Sequence, residues 1–224
     1  MDNVESTPDA PMVLSLLEGR VLGCLVEKEF TTPDVYPLTL NALVNACNQK
    51  SNRDPVLDVS EREVEAACDG LRDKQLLTLF TGAGSRTVKF KQRIDDVYPL
   101  TDAARAVLGE LLLRGPQTLA GLRANAERMF TMPTVDDFPA LIAELHDRPS
   151  GTLVRQLPRQ PGHKEARWAQ VLTGEPLAAS APAHEPIKVA LTLPPAVEER
   201  LAALEAEVAA LKEELGKLRS ELGS

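Results

Sequence analysis

Three groups of polar side chains in this 224-residue sequence have the composition of a nucleic-acid contact. The first is Asn41, Asn45, Asn48, Gln49, Lys50, Ser51, Asn52 and Arg53. Asn and Gln amides match the donor and acceptor on an adenine edge, and Lys50 and Arg53 are cations suited to phosphate. The second is Arg86, Lys89, Lys91 and Arg93, with no acid between 82 and 93. Alternate residues of a strand share a face, so Lys89, Lys91 and Arg93 point the same way. The third, Arg155, Arg159, Lys164 and Arg167, is opposed by Glu165 alone. Each group also has a structural reading. Ser51, Asn52 and Asp54 build turns and cap helices, and lysines on a strand edge discourage further pairing.

Other chemistries find little support. Cys24, Cys47 and Cys68 lie 23 and 21 residues apart, and His146, His163 and His184 are scattered; zinc sites use closely paired ligands. The cysteines sit among apolar neighbours, where a thiol acts as a small hydrophobe. No G-x-x-x-x-G-K-[ST], G-x-G-x-x-G, H-E-x-x-H or G-x-S-x-G occurs. An enzyme is therefore not expected, nor a metal or other cofactor, and the repeated Glu and Asp pairs read as solvated helical faces. Nothing approaches the roughly 20 apolar residues that span a bilayer. No Lys or Arg precedes Arg20, and the apolar stretch Met12 to Leu17 is too short for an export signal. The expectation is a cytoplasmic protein with reduced thiols and no membrane partner.

The elements that must carry these groups are legible from periodicity and caps. Leu14, Leu17, Val21 and Leu25, with Leu22 and Val26 alongside, form a helical stripe, and Ser15 with Glu18 has capping-box spacing. A helix is predicted from about 15 to 29. Thr39 opens a second helix through Leu40, Leu43, Val44 and Cys47. Ser60 and Glu63 make another capping box, with Val59 and Val64 placed as a hydrophobic staple, for a third helix to about Lys74. The runs Leu76 to Thr81 and Arg86 to Arg93 are rich in β-formers around Gly82-Ala83-Gly84-Ser85 and read as a hairpin. Three helices followed by a hairpin make a winged helix.

The sequence then repeats itself. Val21-Leu22-Gly23-Cys24-Leu25-Val26 aligns with Val107-Leu108-Gly109-Glu110-Leu111-Leu112 at an offset of 86. Helices are predicted from Thr101 to Arg114, from Thr118 to about Met129 and from about Asp136 to Arg148, the last with Pro139 in its first turn. A second hairpin follows, Leu153 to Leu157 and Arg167 to Leu172. The Ala- and Pro-rich stretch 173–195 reads as an extended linker, within which Ile187, Val189, Leu191 and Leu193 alternate as in a strand. Beyond it Val197, Leu201, Leu204, Val208, Leu211, Leu215, Leu218 and Leu222 are spaced alternately by four and three, a heptad seam. With Leu201 at position a, a parallel dimer pairs Arg200 with Glu205, Glu207 with Lys212 and Glu214 with Arg219, while an antiparallel one sets Glu207 against Glu214, a repulsion partly offset by Arg200 with Glu221.

The predicted fold is α+β, mainly α with small β-hairpins. It divides into a disordered N-terminus 1–11, tandem winged helix-turn-helix domains at 12–94 and 95–172, the linker 173–195, and a coiled-coil helix 196–224 that makes a homodimer.

Two stretches carry a family resemblance. One is Glu27-Lys28-Glu29, Thr32-Pro33 and the run from Tyr36-Pro37-Leu38-Thr39-Leu40-Asn41 through Asn48-Gln49-Lys50-Ser51-Asn52-Arg53-Asp54-Pro55. The other is Leu157-Pro158-Arg159-Gln160-Pro161-Gly162 with Glu165 and Arg167. Through them the sequence resembles the YceH-like family of uncharacterised bacterial proteins, over about residues 12 to 172. The resemblance implies tandem winged helices and supplies no catalytic residues.

Charge narrows the functional choice. Lys and Arg total 25 against 33 Asp and Glu, a net of −8, which excludes a basic nucleic-acid coat. The excess acid lies mainly in the two ends. Within the repeats the predicted third helices are acidic, with Glu61, Glu63, Glu65, Asp69 and Asp73 in one and Asp136, Asp137, Glu144 and Asp147 in the other, and phosphate would repel them. The hairpins are basic. Two functions fit: a transcriptional regulator that binds double-stranded DNA through its wings and the Asn-rich loop, or an assembly module whose acidic third helices dock a basic protein partner.

Overall fold

The computed structural model describes residues 13–82, 87–160, 162 and 164–174. All lie in the first of the two units, 1–181 and 182–224, into which the chain divides. The N-terminal segment 1–11, Arg86, the linker beyond Gly174 and the heptad seam lie outside the described residues.

Helix α1 (Leu16–Thr31) begins at a capping box. Ser15 N–H donates to Glu18 Oε2 (2.6 Å), and Glu18 N–H donates to Ser15 Oγ (3.1 Å), which satisfies donors that have no helical partner. Strand β1 (Leu38–Thr39) leads directly into α2 (Leu40–Cys47), capped by the Thr39 hydroxyl. Helix α3 (Glu61–Asp73) has the predicted Ser60–Glu63 box and buries Val64, Ala67, Cys68 and Leu71 as one stripe. Strands β2 (Leu77–Phe80) and β3 (Lys89–Gln92) pair antiparallel, and β1 adds to the other side of β3, in the order β1-β3-β2. Two residues leave no period-two pattern, so β1 was not legible in the sequence. Its presence corrects one expectation: over Lys89 and Phe90, β3 is a central strand, paired with Thr39 and Leu38 on one side and Phe80 and Leu79 on the other.

The short α4 (Ile94–Val97) joins this half to α5 (Asp102–Arg114), α6 (Leu119–Ala126) and α7 (Phe138–His146), and β4 (Val154–Gln156) pairs antiparallel with β5 (Trp168–Gln170). The chain is thus mainly helical with two small antiparallel sheets. Helix α7 starts two residues later than predicted, at Phe138 with Asp137 as its N-cap, and has Pro139 in its first turn as its missing N–H requires.

The two halves meet through α1 and α5. A Cβ on Gly23 would lie 3.0 Å from Leu112 Cβ, and one on Gly109 would lie 2.8 Å from Val26 Cγ1. The 86-residue offset carries Gly23 to Gly109 and Val26 to Leu112, so the two contacts are equivalent under the repeat. Each helix offers a glycine to the other's side chain, and this lets the axes approach closely. The buried residues form one continuous core from Leu14 to Leu172, and Leu14 N–H donates to Leu172 O at 2.7 Å. Among the described residues no helix is long and apolar enough to cross a membrane.

Candidate nucleic-acid interface and an adjoining cleft

The first hairpin turns its cations outward because the opposite face of β3 is locked inward. Phe90 and Gln92 are buried. Gln92 N–H donates to Tyr36 Oη (2.8 Å), its Nε2 donates to Glu29 Oε2 (2.6 Å), and its Oε1 accepts from Ile94 N–H (2.6 Å). Lys91 and Arg93 are therefore exposed and Lys89 is half-buried. Arg93 pairs with the carboxylate of Asp96. Leu79, Phe80 and Val88 beside them are also exposed. On the second hairpin Arg159 and Lys164 are exposed, and Arg167 is half-buried.

The Asn-rich loop divides differently from expectation. Lys50 and Asn52 face solvent, the latter at φ 55, a conformation Asn adopts more readily than most residues. Asn48 closes the loop: its Nδ2 donates to Val59 O and its Oδ1 accepts from Val59 N–H, both at 2.8 Å. Arg53, read from the sequence as a phosphate contact, has no exposed side-chain surface. Its Nη2 donates to Glu27 Oε2 (2.6 Å) and Gln49 Oε1 (2.7 Å), its Nη1 to Glu27 Oε1 (3.1 Å), and its Nε to Ala46 O (3.0 Å). Buried cations require such partners, and Asn48, Gln49 and Arg53 are accordingly occupied within the fold.

Glu27 also accepts from Arg128, whose other nitrogen reaches Glu110 Oε2 at 2.9 Å. Both carboxylates are buried, so the expectation of solvated acidic faces fails at these two positions. Burial opposes ionisation of Glu27. The hydrogen bonds and charge of Arg53, with Arg128, outweigh it and hold the carboxyl below its usual range. In the sequence Glu110 stands as a lone charge inside an apolar run, whereas Glu27, followed by Lys28 and Glu29, gives no such signal.

A cleft of about 510 Å³ opens beside this network. Asn52 and Asp54 come from the loop, Arg114 from the end of α5, Gln117 from the turn after it, Asn125 from α6, and Arg167 from the second hairpin. The structure thus brings together three predicted site residues, Asn52 and Arg53 with Arg167 more than 100 positions away, and keeps the Lys89–Arg93 set separate. Arg114, Gln117 and Asn125 had no signal in the sequence. Cys24, Cys47 and Cys68 are free and buried; burial, with Asp69 and Glu65 nearby, pushes the Cys68 thiol up to about 12. Among the described residues no group of three His, Cys, Asp or Glu side chains is placed to hold a metal ion.

With this geometry in place, comparison with known proteins is decisive on kinship. The profile of a family described as "Protein of unknown function, DUF480" matches residues 14–163. The chain belongs to the DUF480 family. Among its relatives a UPF0502 protein of Geotalea daltonii is 50% identical over 169 residues, 75% of this chain and 77% of that protein. One of Opitutus terrae is 48% identical over 198 residues, 88% and 85% respectively. One of Chromobacterium violaceum is 46% identical over 179 residues, 80% and 81%. The span matched by the family runs from α1 through β4 and includes the first hairpin, the Asn-rich loop and the turn that lines the cleft.

Proposed function

We propose that this DUF480 member is a tandem winged-helix protein that binds double-stranded DNA and acts as a transcriptional regulator. The order α1–α3 then β2–β3, repeated as α5–α7 then β4–β5, supports the winged-helix reading, which the YceH-like resemblance also implies. The observation that carries the DNA reading is the alternation along β3. It commits Phe90 and Gln92 to the interior and leaves Lys89, Lys91 and Arg93 on the outer face. Lys50, Arg159 and Lys164 are exposed and join this set. Arg53, Asn48 and Gln49 leave it. Helix α3 displays Glu61, Glu63, Glu65, Asp69 and Asp73 to solvent, so the contact is led by the wing and not by the helix.

Titrating binding to mixed duplex DNA against salt tests this, because each phosphate contact contributes about 0.9 to the log–log slope. Replacing Lys89 and Lys91 together by Ala is expected to lower the slope by up to about 2, while Glu61→Ala leaves affinity undiminished. Absence of salt-dependent binding at about 50 mM salt overturns the reading.

A second reading has its own support. Leu79, Phe80 and Val88 are exposed on the wing, and α3 is acidic. An assembly module that docks a basic protein fits these features. It predicts that Glu61→Lys with Glu65→Lys abolishes capture of a basic partner and that the chain shows no salt-dependent binding to duplex DNA.

A further inference from the structure

The cleft beside the Asn-rich loop lies apart from Lys89, Lys91 and Arg93, takes in Asn52 and Arg167 of the residues expected at DNA, and has a chemistry of its own. Its volume of about 510 Å³ falls within the range of small-ligand pockets. Donors converge on it from separate segments. Among the described residues Arg167 makes no ion pair, and Arg114 reaches only Glu110, at 3.5 Å. Helix α6 starts at the cleft wall. There Thr118 Oγ1 accepts from Gly121 N–H (3.2 Å) and Thr118 O from Leu122 N–H (2.8 Å). The N–H groups of Leu119 and Ala120 at the same end have no helical acceptor. Asn125 Nδ2 donates to Gln117 Oε1 at 2.6 Å, which fixes both amides against the wall. Asp54 is the single carboxylate lining it.

A second hollow of about 210 Å³ shares Asp54, Arg114, Pro116 and Arg167 with the first and is walled by Leu157, Pro158, Gln160 and the carboxylate-bearing Glu165. A third, of about 280 Å³, shares Asp54 and Pro116 and is lined by Arg20. Arg20 is 3% exposed and makes no ion pair among the described residues. It donates to Cys47 O (3.1 Å) and Pro55 O (2.6 Å), and its Nε has no partner. A buried cation with no ion-pair partner and only the Asp54 carboxylate acting on it from a distance is costly, and it favours an anion in this hollow.

We propose that the seam binds a small phosphorylated metabolite. Its phosphate is held by Arg114, Arg167 and the start of α6, and its uncharged body lies against Leu157 and Pro158. Two guanidinium forks and a helix N-terminus offer more donors than a carboxylate's two oxygens accept. The three oxygens and near-double charge of a phosphate monoester use them. This site is independent of the DNA reading.

The test is amide chemical-shift mapping of the full chain with inorganic phosphate and, separately, AMP. Both are expected to move the Gln117, Leu119, Ala120 and Gly121 amides, with AMP binding at least about tenfold more tightly because it also fills the apolar hollow. Arg167→Gln is expected to weaken AMP by about tenfold or more, and Lys91→Ala to leave it unchanged. Should Arg167→Gln fail to fold, Gly121→Asp places a carboxylate at the helix start and is expected to abolish binding. The proposal is overturned if neither probe moves these amides at about 10 mM, or if the shifts persist in Arg167→Gln. It is equally overturned if duplex DNA moves the same amides and Arg167→Gln weakens DNA as much as AMP, since the cleft would then belong to the DNA contact.

Discussion

The carboxylate of Glu27 is held by Arg53 from its own half of the chain and by Arg128 from the other, with 3% of its side chain exposed. Removing it leaves the Arg53 guanidinium buried with no counter-charge. Glu27→Ala is therefore expected to cost about 3–5 kcal/mol in urea denaturation, and a cost below about 1 kcal/mol would show that the pairs are not coupled to folding. The pH dependence follows in sign. The folded carboxyl titrates below its unfolded value, so its contribution is present above the unfolded range near pH 4.3 and is lost as pH falls through the folded one. Glu27→Gln is expected to flatten the stability–pH curve below about pH 5, and an unchanged curve would assign acid sensitivity to other groups. At this scale the sequence was least informative. The amide of Asn48 has the same chemistry whether it faces an adenine or the backbone of Val59, and only the path of the loop decides which.

Among the elements, the α1–α5 crossing rests on two glycines. Gly109→Ala in an exposed helix would stabilise by up to about 1 kcal/mol. Here the new methyl would meet Val26 Cγ1 at 2.8 Å, so a loss of about 1–3 kcal/mol is expected. A thermal melt reads the sign, and a stabilised variant would mean that the helices part without cost. The helices themselves were legible because their signals are local. Ser15 with Glu18 and Ser60 with Glu63 form the two boxes that their spacing announced. Strand β1 was not, since its two residues acquire a strand conformation only from their pairing with Phe90 and Lys89.

For the whole molecule, charge and stoichiometry are the testable quantities. The net of −8 is compatible with a wing-led contact because acid and base occupy different surfaces within each half. The heptad seam from Val197 to Leu222 supports dimerisation, with three attractive pairs across a parallel interface. Deleting 196–224 is expected to convert a dimer to a monomer in sedimentation velocity runs at micromolar concentration. A dimer that persists would place the interface in the helical repeats.

The sequence by itself determined the six longer helices among the described residues, the caps at Ser15, Thr39 and Ser60, the internal repeat, both hairpins and the outward direction of Lys91 and Arg93. These follow from periodicity and from hydrogen bonds spanning three or four residues, which the order of side chains specifies directly. Only the tertiary structure decided that Arg53 is an internal cation, that Glu27 meets Arg128 across 101 positions, and that Asn52, Asn125 and Arg167 share one cleft. Those outcomes depend on how α1 docks on α5. That docking is set by the combined burial of residues from both halves, and no local pattern encodes it.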